Sequence, residues 1–257
     1  MLTGVSKNPY SIAIMNFYPT ETPLLADSLK FLSGMSLRKW GELSERPVGL
    51  LGVAINSLGK VQSERIKQHL KSLEPQDRYM RFGYPASDEQ IDSYVDNLDF
   101  ECDDIYGIFS VDMELIAMAH LALPKIGSKS TQAEFGVSVS EYCRGRGYGG
   151  RLFERASIHA VNNKIKTIYI HSLSENAPML KIAKKHGAVL HREGSETEAY
   201  VELGKPTIDT HLVELMSEQY AKTNYDIKNQ MKQFWDFIKD VQEIRAGVKI
   251  ARHKSSS

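Results

Sequence analysis

The sequence has no excess of charge of either sign, almost no cysteine and no long apolar run. Its 32 Lys and Arg residues balance 32 Asp and Glu residues, so no global field attracts nucleic acid or a membrane surface. The two cysteines give neither a disulfide framework nor a metal-ligand spacing. No uninterrupted apolar stretch approaches the ~20 residues of a membrane-spanning helix. These absences predict a cytoplasmic protein without metal, nucleic-acid or membrane ligands, in which any anion site is local.

The length of the chain and the change in its pattern predict three parts. At 257 residues the chain can bury one sizeable core plus a small appendage. Residues 1–45 lack a regular periodicity and are predicted to be an N-terminal extension with a short helix near 24–32. Residues 46–204 are predicted to form the core domain, and residues 205–257 a helical tail.

Apolar spacing along the core domain predicts an α/β arrangement of strands and helices. Ser87 followed by Gln90 is a helix-capping pattern, and Gly187 suits the left-handed residue that follows a helix. Strands are predicted at 48–55, 105–111, 115–123, 131–140, 167–172, 189–192 and 198–203, and helices at 61–73, 87–98, 150–162 and 176–186.

A glycine-rich turn joins the predicted strand 131–140 to the predicted helix 150–162. Glycines let backbone N–H groups converge on an anion, and the N-terminus of a helix adds partial positive charge. A phosphorylated ligand is therefore expected at this turn, with Arg144 or Arg146 adding charge. The predicted phosphate-binding residues are Arg144, Gly145, Arg146, Gly147, Tyr148, Gly149 and Gly150.

Two common phosphate-binding loops do not fit this turn. A P-loop requires Gly-x-x-x-x-Gly-Lys-Ser/Thr, and no lysine follows these glycines. The dinucleotide fingerprint requires an acidic residue about 20 residues further on, and the predicted strand 167–172 contains none.

The spacing Arg-x-x-Gly-x-Gly at Arg144, Gly147 and Gly149 resembles the pyrophosphate loop of GNAT-superfamily acetyltransferases. Residues 174–189 resemble the last core helix of the same superfamily, which begins after an Asn, here Asn176, and ends at a Gly, here Gly187. The resemblance implies a GNAT fold, with a mixed, mostly antiparallel sheet whose central strands splay, plus a helical C-terminal extension. It also implies N-acetyltransferase activity with acetyl-coenzyme A as co-substrate.

Residues 75–82, with the sequence PQDRYMRF, narrow the resemblance further. They resemble the acetyltransferase domain of bacterial protein-lysine acetyltransferases, in which a similar run of an acidic residue, Arg, Tyr, Arg and Phe ends the first helix. This likeness implies a protein lysine as the first choice of acceptor, with a small amine as the alternative.

Acetyl transfer to an amine needs a base for the amine proton and a donor for the developing oxyanion. Glu134 stands where many members of the superfamily place their base, and a solvated strand-end glutamate is the equally weighted alternative. The resemblance implies that the pantetheine arm pairs with the exposed edge of the strand 131–140, where a backbone N–H would also serve the oxyanion. The backbone groups predicted for this are those of Val137, Ser138 and Val139, and Asn176 is predicted to cap its helix and to contact coenzyme A.

One position departs from the pattern of the superfamily. Many of its small-molecule enzymes have a Tyr in the last core helix that protonates the leaving thiolate, and alignment on Asn176 and Gly187 puts Ala183 there. The main interpretation remains an enzyme that transfers acetyl directly to a primary amine, without a covalent enzyme intermediate. A non-catalytic sensor that binds acyl-coenzyme A is the alternative that the missing Tyr favours.

The tail contains an apolar stripe with the spacing of a heptad. The stripe predicts a helix of roughly 20 residues. Two interpretations stay open: the helix packs back on the core, or it pairs with the same helix of a second copy to form a homodimer. The stripe consists of Ile227, Met231, Phe234, Ile238 and Val241.

Overall fold

A computed structural model describes residues 53–125 and 127–254. The predicted helix near 24–32, the N-terminal extension and the first part of the predicted strand 48–55 lie outside the described residues. Short 3₁₀ turns occur at Lys60–Gln62 and Glu141–Cys143. The strands are β1 (Asn56–Ser57), β2 (Asp104–Phe109), β3 (Leu115–Ala122), β4 (Gln132–Val139), β5 (Thr167–Leu173), β6 (Val189–Glu193) and β7 (Glu196–Glu202), and the helices are α1 (Ser63–Lys71), α2 (Pro75–Phe82), α3 (Asp88–Asp96), α4 (Tyr148–Asn162), α5 (Ala177–Lys185) and α6 (Ile208–Lys254).

The strands form one mixed sheet of seven strands in the order β1-β2-β3-β4-β5-β7-β6. Every neighbouring pair is antiparallel except β4 and β5, which are parallel. Pairing between β4 and β5 covers only Gln132–Glu134 against Thr167–Tyr169. The two central strands therefore separate toward their C-terminal ends, and the predicted mixed sheet with splayed central strands is confirmed.

Helices cover the sheet on both faces because the strands present apolar side chains to each side. On one face, here called the α4 face, Leu152 and Phe153 of α4 are fully buried, and the rings of Phe135 and Phe153 lie 5.0 Å apart. On the other, the α1–α3 face, Ile66 of α1 and Ile91 of α3 are fully buried against residues of β2 and β3. These two layers position β4 between two cores.

Three elements differ from the prediction. No strand includes residues 53–55, and β1 is only two residues long, pairing with Tyr106 and Gly107 of β2. Helix α2 was not predicted: the predicted helix 61–73 ends before Pro75, and Pro75 begins α2 in its first turn, where a missing N–H costs nothing. Helix α6 has 47 residues, more than twice the predicted length.

The prediction for α6 was too short because polar residues, rather than the apolar stripe, hold its first half on the core. Arg155 of α4 is almost fully buried and donates to Glu214 at 2.9 Å and to Glu218 at 2.8 Å. His159 lies between Glu214 and Asp104, with its Nε2 2.8 Å from Asp104 Oδ2. A buried charge without such partners would be costly, so the partners of Arg155 keep this part of α6 docked on α4.

Two residues of the apolar stripe, Ile227 and Met231, do not pack on the core. Ile227 and Met231 are 51% and 56% exposed. The helix does pack back, through residues such as Ala221, which is buried, and Tyr225, whose ring lies 5.1 Å from that of Phe109. The interpretation that the stripe docks on the core is therefore wrong for Ile227 and Met231. None of the helices in the described part of the chain combines the length and apolar character that a membrane span requires.

The docking of α6 should weaken as the pH rises above neutrality. Burial lowers the pKa of His159, but hydrogen bonds to Asp104 and Glu214 outweigh it and raise that pKa to about 9, from 6.5 in a free side chain. A raised pKa contributes stability that is complete below about pH 6.5 and is lost as the pH rises through about 9. Thermal or urea unfolding should show a loss of about 1–3 kcal/mol across this interval, after allowance for partial exposure.

The matched variants for this measurement are His159→Gln and His211→Gln. The His159→Gln protein should be less stable at pH 6.5 and should lose most of the pH dependence between 6.5 and 9. His211 is exposed on the same helix α6, so His211→Gln should behave as the unmodified protein does. An unchanged pH dependence in His159→Gln would contradict the assignment.

Candidate functional site

The glycine-rich turn forms a helix N-terminus whose first amides have no partner within the helix. Gly145 and Gly147 have φ values of 75° and 79°, in the left-handed region that favours glycine. Gly147 precedes the first residue of α4, and the N–H of Arg151 donates to the Gly147 carbonyl at 3.1 Å. The amides of Tyr148, Gly149 and Gly150 come before this first helical bond and have no partner within the helix. Such a cluster of amides suits an anion.

Glycine is required at positions 147 and 149 for different physical reasons. A Cβ on Gly147 would meet no atom within 4 Å, so its glycine is required by backbone conformation. A Cβ on Gly149 would lie 2.9 Å from the Ile182 side chain of α5, so this glycine allows α4 and α5 to pack closely. This packing role of Gly149 was not predicted, because it depends on a contact with a helix more than 30 residues further along the chain.

The two arginines of the turn have different hydrogen-bond and ion-pair partners. Arg144 forms an ion pair with Asp77 of α2, which ties the turn to the segment 75–82. Arg146 forms only a 3.4 Å hydrogen bond to the Tyr142 carbonyl and has no carboxylate partner in the described ranges. Arg146 therefore offers the less compensated charge for an anion at this turn.

The gap between β4 and β5 exposes backbone groups of β4. The N–H of Ser140, the residue after β4, donates to the Ile116 carbonyl at 2.9 Å. Antiparallel ladders alternate between bonded and non-bonded pairs, so even-numbered residues of β4 bond to β3 and odd-numbered ones face β5. Because the β5 pairing ends at Glu134, Val137 and Val139 present their N–H and C=O groups to the gap. Ser138, by contrast, is expected to bond to β3 through its backbone.

The side chain of Ser138 points to the α1–α3 face and contacts a buried histidine. Ser138 Oγ lies 2.8 Å from His69 Nε2, and His69 Nδ1 lies 2.9 Å from the Leu115 carbonyl. A carbonyl can only accept, so Nδ1 donates to Leu115 and Nε2 accepts the Ser138 hydroxyl proton. Burial, together with the positive charge of Arg81, lowers the pKa of His69 to about 4, which keeps this histidine neutral. His69 was not predicted as a site residue, although it lies three residues after Ile66 on the apolar side of α1.

Glu134 lies at the exposed start of β4, where the pairing with β5 ends. Side chains alternate along a strand, so Glu134 is on the same face as Gly136 and Ser138. It borders a depression of about 290 Å³ together with Gln132 and Tyr169. Its carboxylate forms no ion pair within the described residues, so it is available to a ligand.

Tyr169 of β5 lies beside Glu134 in the sheet register. Its hydroxyl donates to Glu198 Oε1 at 3.0 Å, and burial together with that bond raises the pKa of Tyr169 to about 12. A phenol with this pKa is a poor proton donor near neutral pH. Tyr169 therefore does not replace the missing Tyr at position 183, where Ala183 is fully buried in the core.

A hydrogen-bonded chain of four side chains lies next to Gly136. Arg81 Nη2 donates to Tyr94 Oη at 3.0 Å, Tyr94 Oη lies 2.9 Å from His120 Nδ1, and His120 Nε2 lies 3.0 Å from Asp103 Oδ2. With Nε2 donating to the carboxylate, Nδ1 accepts the Tyr94 hydroxyl proton. The chain connects α2, α3, β3 and the turn before β2, and only Arg81 belonged to a segment that sequence reasoning had singled out.

Asn176 caps α5, as predicted, because its Oδ1 accepts the Met179 N–H at 3.2 Å. Its Nδ2 donates to the Met80 carbonyl of α2 at 3.2 Å. The residue thus joins α5 to α2, and its contact with coenzyme A stays a prediction.

Comparisons with known proteins agree with this geometry. Residues 68–188 match the model of the acetyltransferase (GNAT) family, and they lie within the predicted core domain 46–204. Among solved structures, the GNAT domain of S. lividans PAT is similar, with a TM-score of 0.51 and 19% identity over 58% of this chain and 89% of that one. The predicted GNAT fold and family resemblance are confirmed.

Other solved structures are similar at lower scores. Spermidine N-acetyltransferase from Vibrio cholerae, in complex with coenzyme A and spermine, has a TM-score of 0.48 and 17% identity over 60% of this chain and 96% of that one. The ribosomal-protein-alanine N-acetyltransferase from Brucella melitensis has a TM-score of 0.45 and 11% identity over 57% and 96%. Among curated proteins, no sequence matches this chain.

Proposed function

Residues 68–188 belong to an acetyltransferase domain of the GNAT family, and from this premise we propose that the chain moves an acetyl group from acetyl-coenzyme A directly to a primary amine. The observation that carries the proposal is the gap between β4 and β5, which opens at Glu134 and leads to the glycine-rich turn. The gap thus has a carboxylate at one end, the edge of β4 along its length and the amides of the glycine-rich turn at the other end.

The residues present suit coenzyme A along this path. The amides of Gly147, Tyr148, Gly149 and Gly150 would bind the pyrophosphate, with Arg146 adding charge. The backbone groups of Val137 and Val139 would pair with the pantetheine arm in the manner of an added strand. When bound, acetyl-coenzyme A supplies the thioester that the amine attacks.

Three needs of the reaction are assigned to this chain. Glu134 would take the proton of the acceptor amine, directly or through water, because an ammonium has no lone pair. A backbone N–H of β4 at the gap would donate to the developing oxyanion. The thiolate would leave without a protein acid, since Ala183 has no proton to give.

A protein lysine is the first choice of acceptor and a small amine the second. Support for the protein acceptor comes from the sequence of residues 75–82, which form α2 and connect through Asp77 and Met80 to the glycine-rich turn and to α5. The second candidate function is a sensor that binds acyl-coenzyme A without turnover, and the buried Ala183 favours it.

Mass spectrometry can separate these proposals. The protein is incubated with labelled acetyl-coenzyme A and either a cell lysate or a mixture of polyamines and amino acids. Labelled lysines in proteins would support the first acceptor, and labelled small amines the second. Cofactor binding in calorimetry without any labelled product would support the sensor.

We also propose that the apolar stripe on α6 pairs with the same stripe of a second copy. Its heptad spacing is self-complementary, and Ile227 and Met231 are exposed although α6 docks on the core nearby. Light scattering should give a dimer for the full chain and a monomer after deletion of residues 230–257. Met231→Glu should also give a monomer, whereas Gln233→Glu, on a different side of the helix, should remain dimeric. A dimer that survives the deletion would place the contact elsewhere.

A further inference from the structure

Arg81 is a half-buried cation without a counter-charge among the described residues. A guanidinium carries five N–H donors, and the described residues accept one bond, at Tyr94 Oη. Its Nε is shielded from solvent and has no hydrogen-bond partner in the described ranges. No carboxylate of those ranges lies within ion-pair distance of it. Arg78, three residues earlier on α2, shows the contrast, because it pairs with Asp88 at 2.7 Å.

The environment holds the Arg81 guanidinium in place without neutralising it. Its Cζ lies 5.3 Å from the ring centroid of Phe82 and 5.6 Å from that of Tyr94. Tyr94 is itself fixed by His120, and His120 by Asp103. Aromatic faces stabilise a cation only partly, and a desolvated charge without a partner is costly. A site that retains such a charge suits an anionic ligand.

The guanidinium lies against the strand at which the reaction is proposed to occur. A Cβ on Gly136 would be 2.9 Å from Arg81 Cζ, Nη1 and Nη2, so the absence of a side chain at Gly136 makes room for the guanidinium. Gly136 and Glu134 point to the same face of β4, about 7 Å apart at the strand rise of 3.4 Å per residue. Glu134 and Arg81 thus offer opposite charges at neighbouring positions, and neither forms an ion pair within the described part of the chain.

We propose that Arg81 binds a carboxylate of a substrate in the cleft beside Glu134. The inference rests on the proposed transferase function and names the chemistry of its substrate. Of the two proposed acceptors, the small amine fits this site if it has a carboxylate close to its amine, with the ammonium at Glu134 and the carboxylate at Arg81. A carboxylate on the acyl chain of the coenzyme A donor is the other source. Arginine recognises either one through two parallel N–H···O bonds.

Free amino acids and their amides test whether the acceptor supplies the carboxylate that Arg81 binds. The wild-type kcat/KM should favour each productive amino acid over its amide by about 10–100-fold, because a charged hydrogen-bonded pair contributes about 1.5–3 kcal/mol. In Arg81→Met the ratio should fall to about one. Arg81→Lys keeps the charge but loses the planar fork, so its ratio should lie between the two. The same acids and amides are titrated into the protein with coenzyme A bound, so that the preference is measured without turnover.

The acyl source is tested by calorimetry with succinyl-coenzyme A and butyryl-coenzyme A, which have acyl chains of equal length. If the acyl chain supplies the carboxylate, wild-type protein should bind the succinyl form more tightly, and Arg81→Met should bind both equally. Arg65→Met is the matched control, because Arg65 is also half-buried over an aromatic ring, 5.5 Å from the centroid of Phe109. Its carboxylate preference should equal that of the wild type.

The proposal would be overturned if the wild-type protein had equal kcat/KM values for amino acids and their amides and also bound succinyl-coenzyme A and butyryl-coenzyme A equally tightly. A preference that persists in Arg81→Met would overturn it too. Acetylation of amines without any carboxylate preference would reject the Arg81 site and leave the transferase function standing. An Arg81-dependent preference in binding, without transfer to any amine, would support the site and reject the transferase function.

Discussion

Replacing Glu134 by glutamine should lower the rate of acetyl transfer by about 10²–10⁴-fold, the usual effect of losing a general base. Glutamine keeps the shape and hydrogen bonding of the side chain but cannot accept the amine proton. Glu134 lies where β4 and β5 separate and has no ion-pair partner in the described part of the chain, so no structural contact depends on its charge. The fold and the affinity for coenzyme A should therefore stay near those of the wild type.

Steady-state rates and calorimetry on the same samples provide this test. Glu202→Gln is the matched control, because Glu202 is also an exposed glutamate at the end of a strand of the same sheet, β7, which β5 separates from β4. The rate of this variant should be unchanged. The wild-type rate should also rise with pH as the acceptor amine loses its proton. Transfer at the wild-type rate in Glu134→Gln would mean that the base lies elsewhere or that the amine arrives neutral.

The parts of the site that lie close together in sequence could be predicted, because they follow local rules. The left-handed backbone at Gly187 and the N-cap at Asn176 each involve a few consecutive residues. The strand 131–140 was recognisable from its alternation, and its splay from β5 followed from the family resemblance. Local patterns thus located the path between the gap and the glycine-rich turn.

Contacts between distant segments could not be predicted in this way. Arg81, Tyr94, His120 and Asp103 come from four segments, and nothing in any single one indicates that they form a chain. The contact between His69 and Ser138 could not be predicted for the same reason, since the two residues are 69 positions apart.

The polar anchoring of α6 was missed for a related reason. Sequence periodicity gives weight to apolar residues, and the first half of α6 is held by Glu214 and Glu218. An exposed glutamate and one that pairs with the buried Arg155 look alike in sequence. Ile227 and Met231, the first two residues of the apolar stripe that was visible, are left exposed by the core.

The glycine-rich turn gives the second large expected effect: Gly147→Glu should weaken acetyl-coenzyme A binding by at least about 100-fold. A new carboxylate beside the pyrophosphate would repel it by roughly 4 kcal/mol at 4 Å and an effective dielectric of 20. The fold should persist, because a Cβ at Gly147 meets no atom within 4 Å. The left-handed backbone, at φ 79°, would cost about 1–2 kcal/mol of stability for a residue other than glycine.

Gly187→Glu separates the two effects of this substitution. Gly187 follows α5 with φ 78°, and a Cβ there also meets no atom within 4 Å, so the same change should cost similar stability. Gly187 does not belong to the glycine-rich turn. The affinity of the Gly187→Glu protein for acetyl-coenzyme A, measured by calorimetry, should therefore equal that of the wild type. Thermal unfolding measures the shared loss of stability. If Gly147→Glu binds as the wild type does, the pyrophosphate does not lie at this turn. If both variants lose binding together, backbone strain rather than repulsion is the cause.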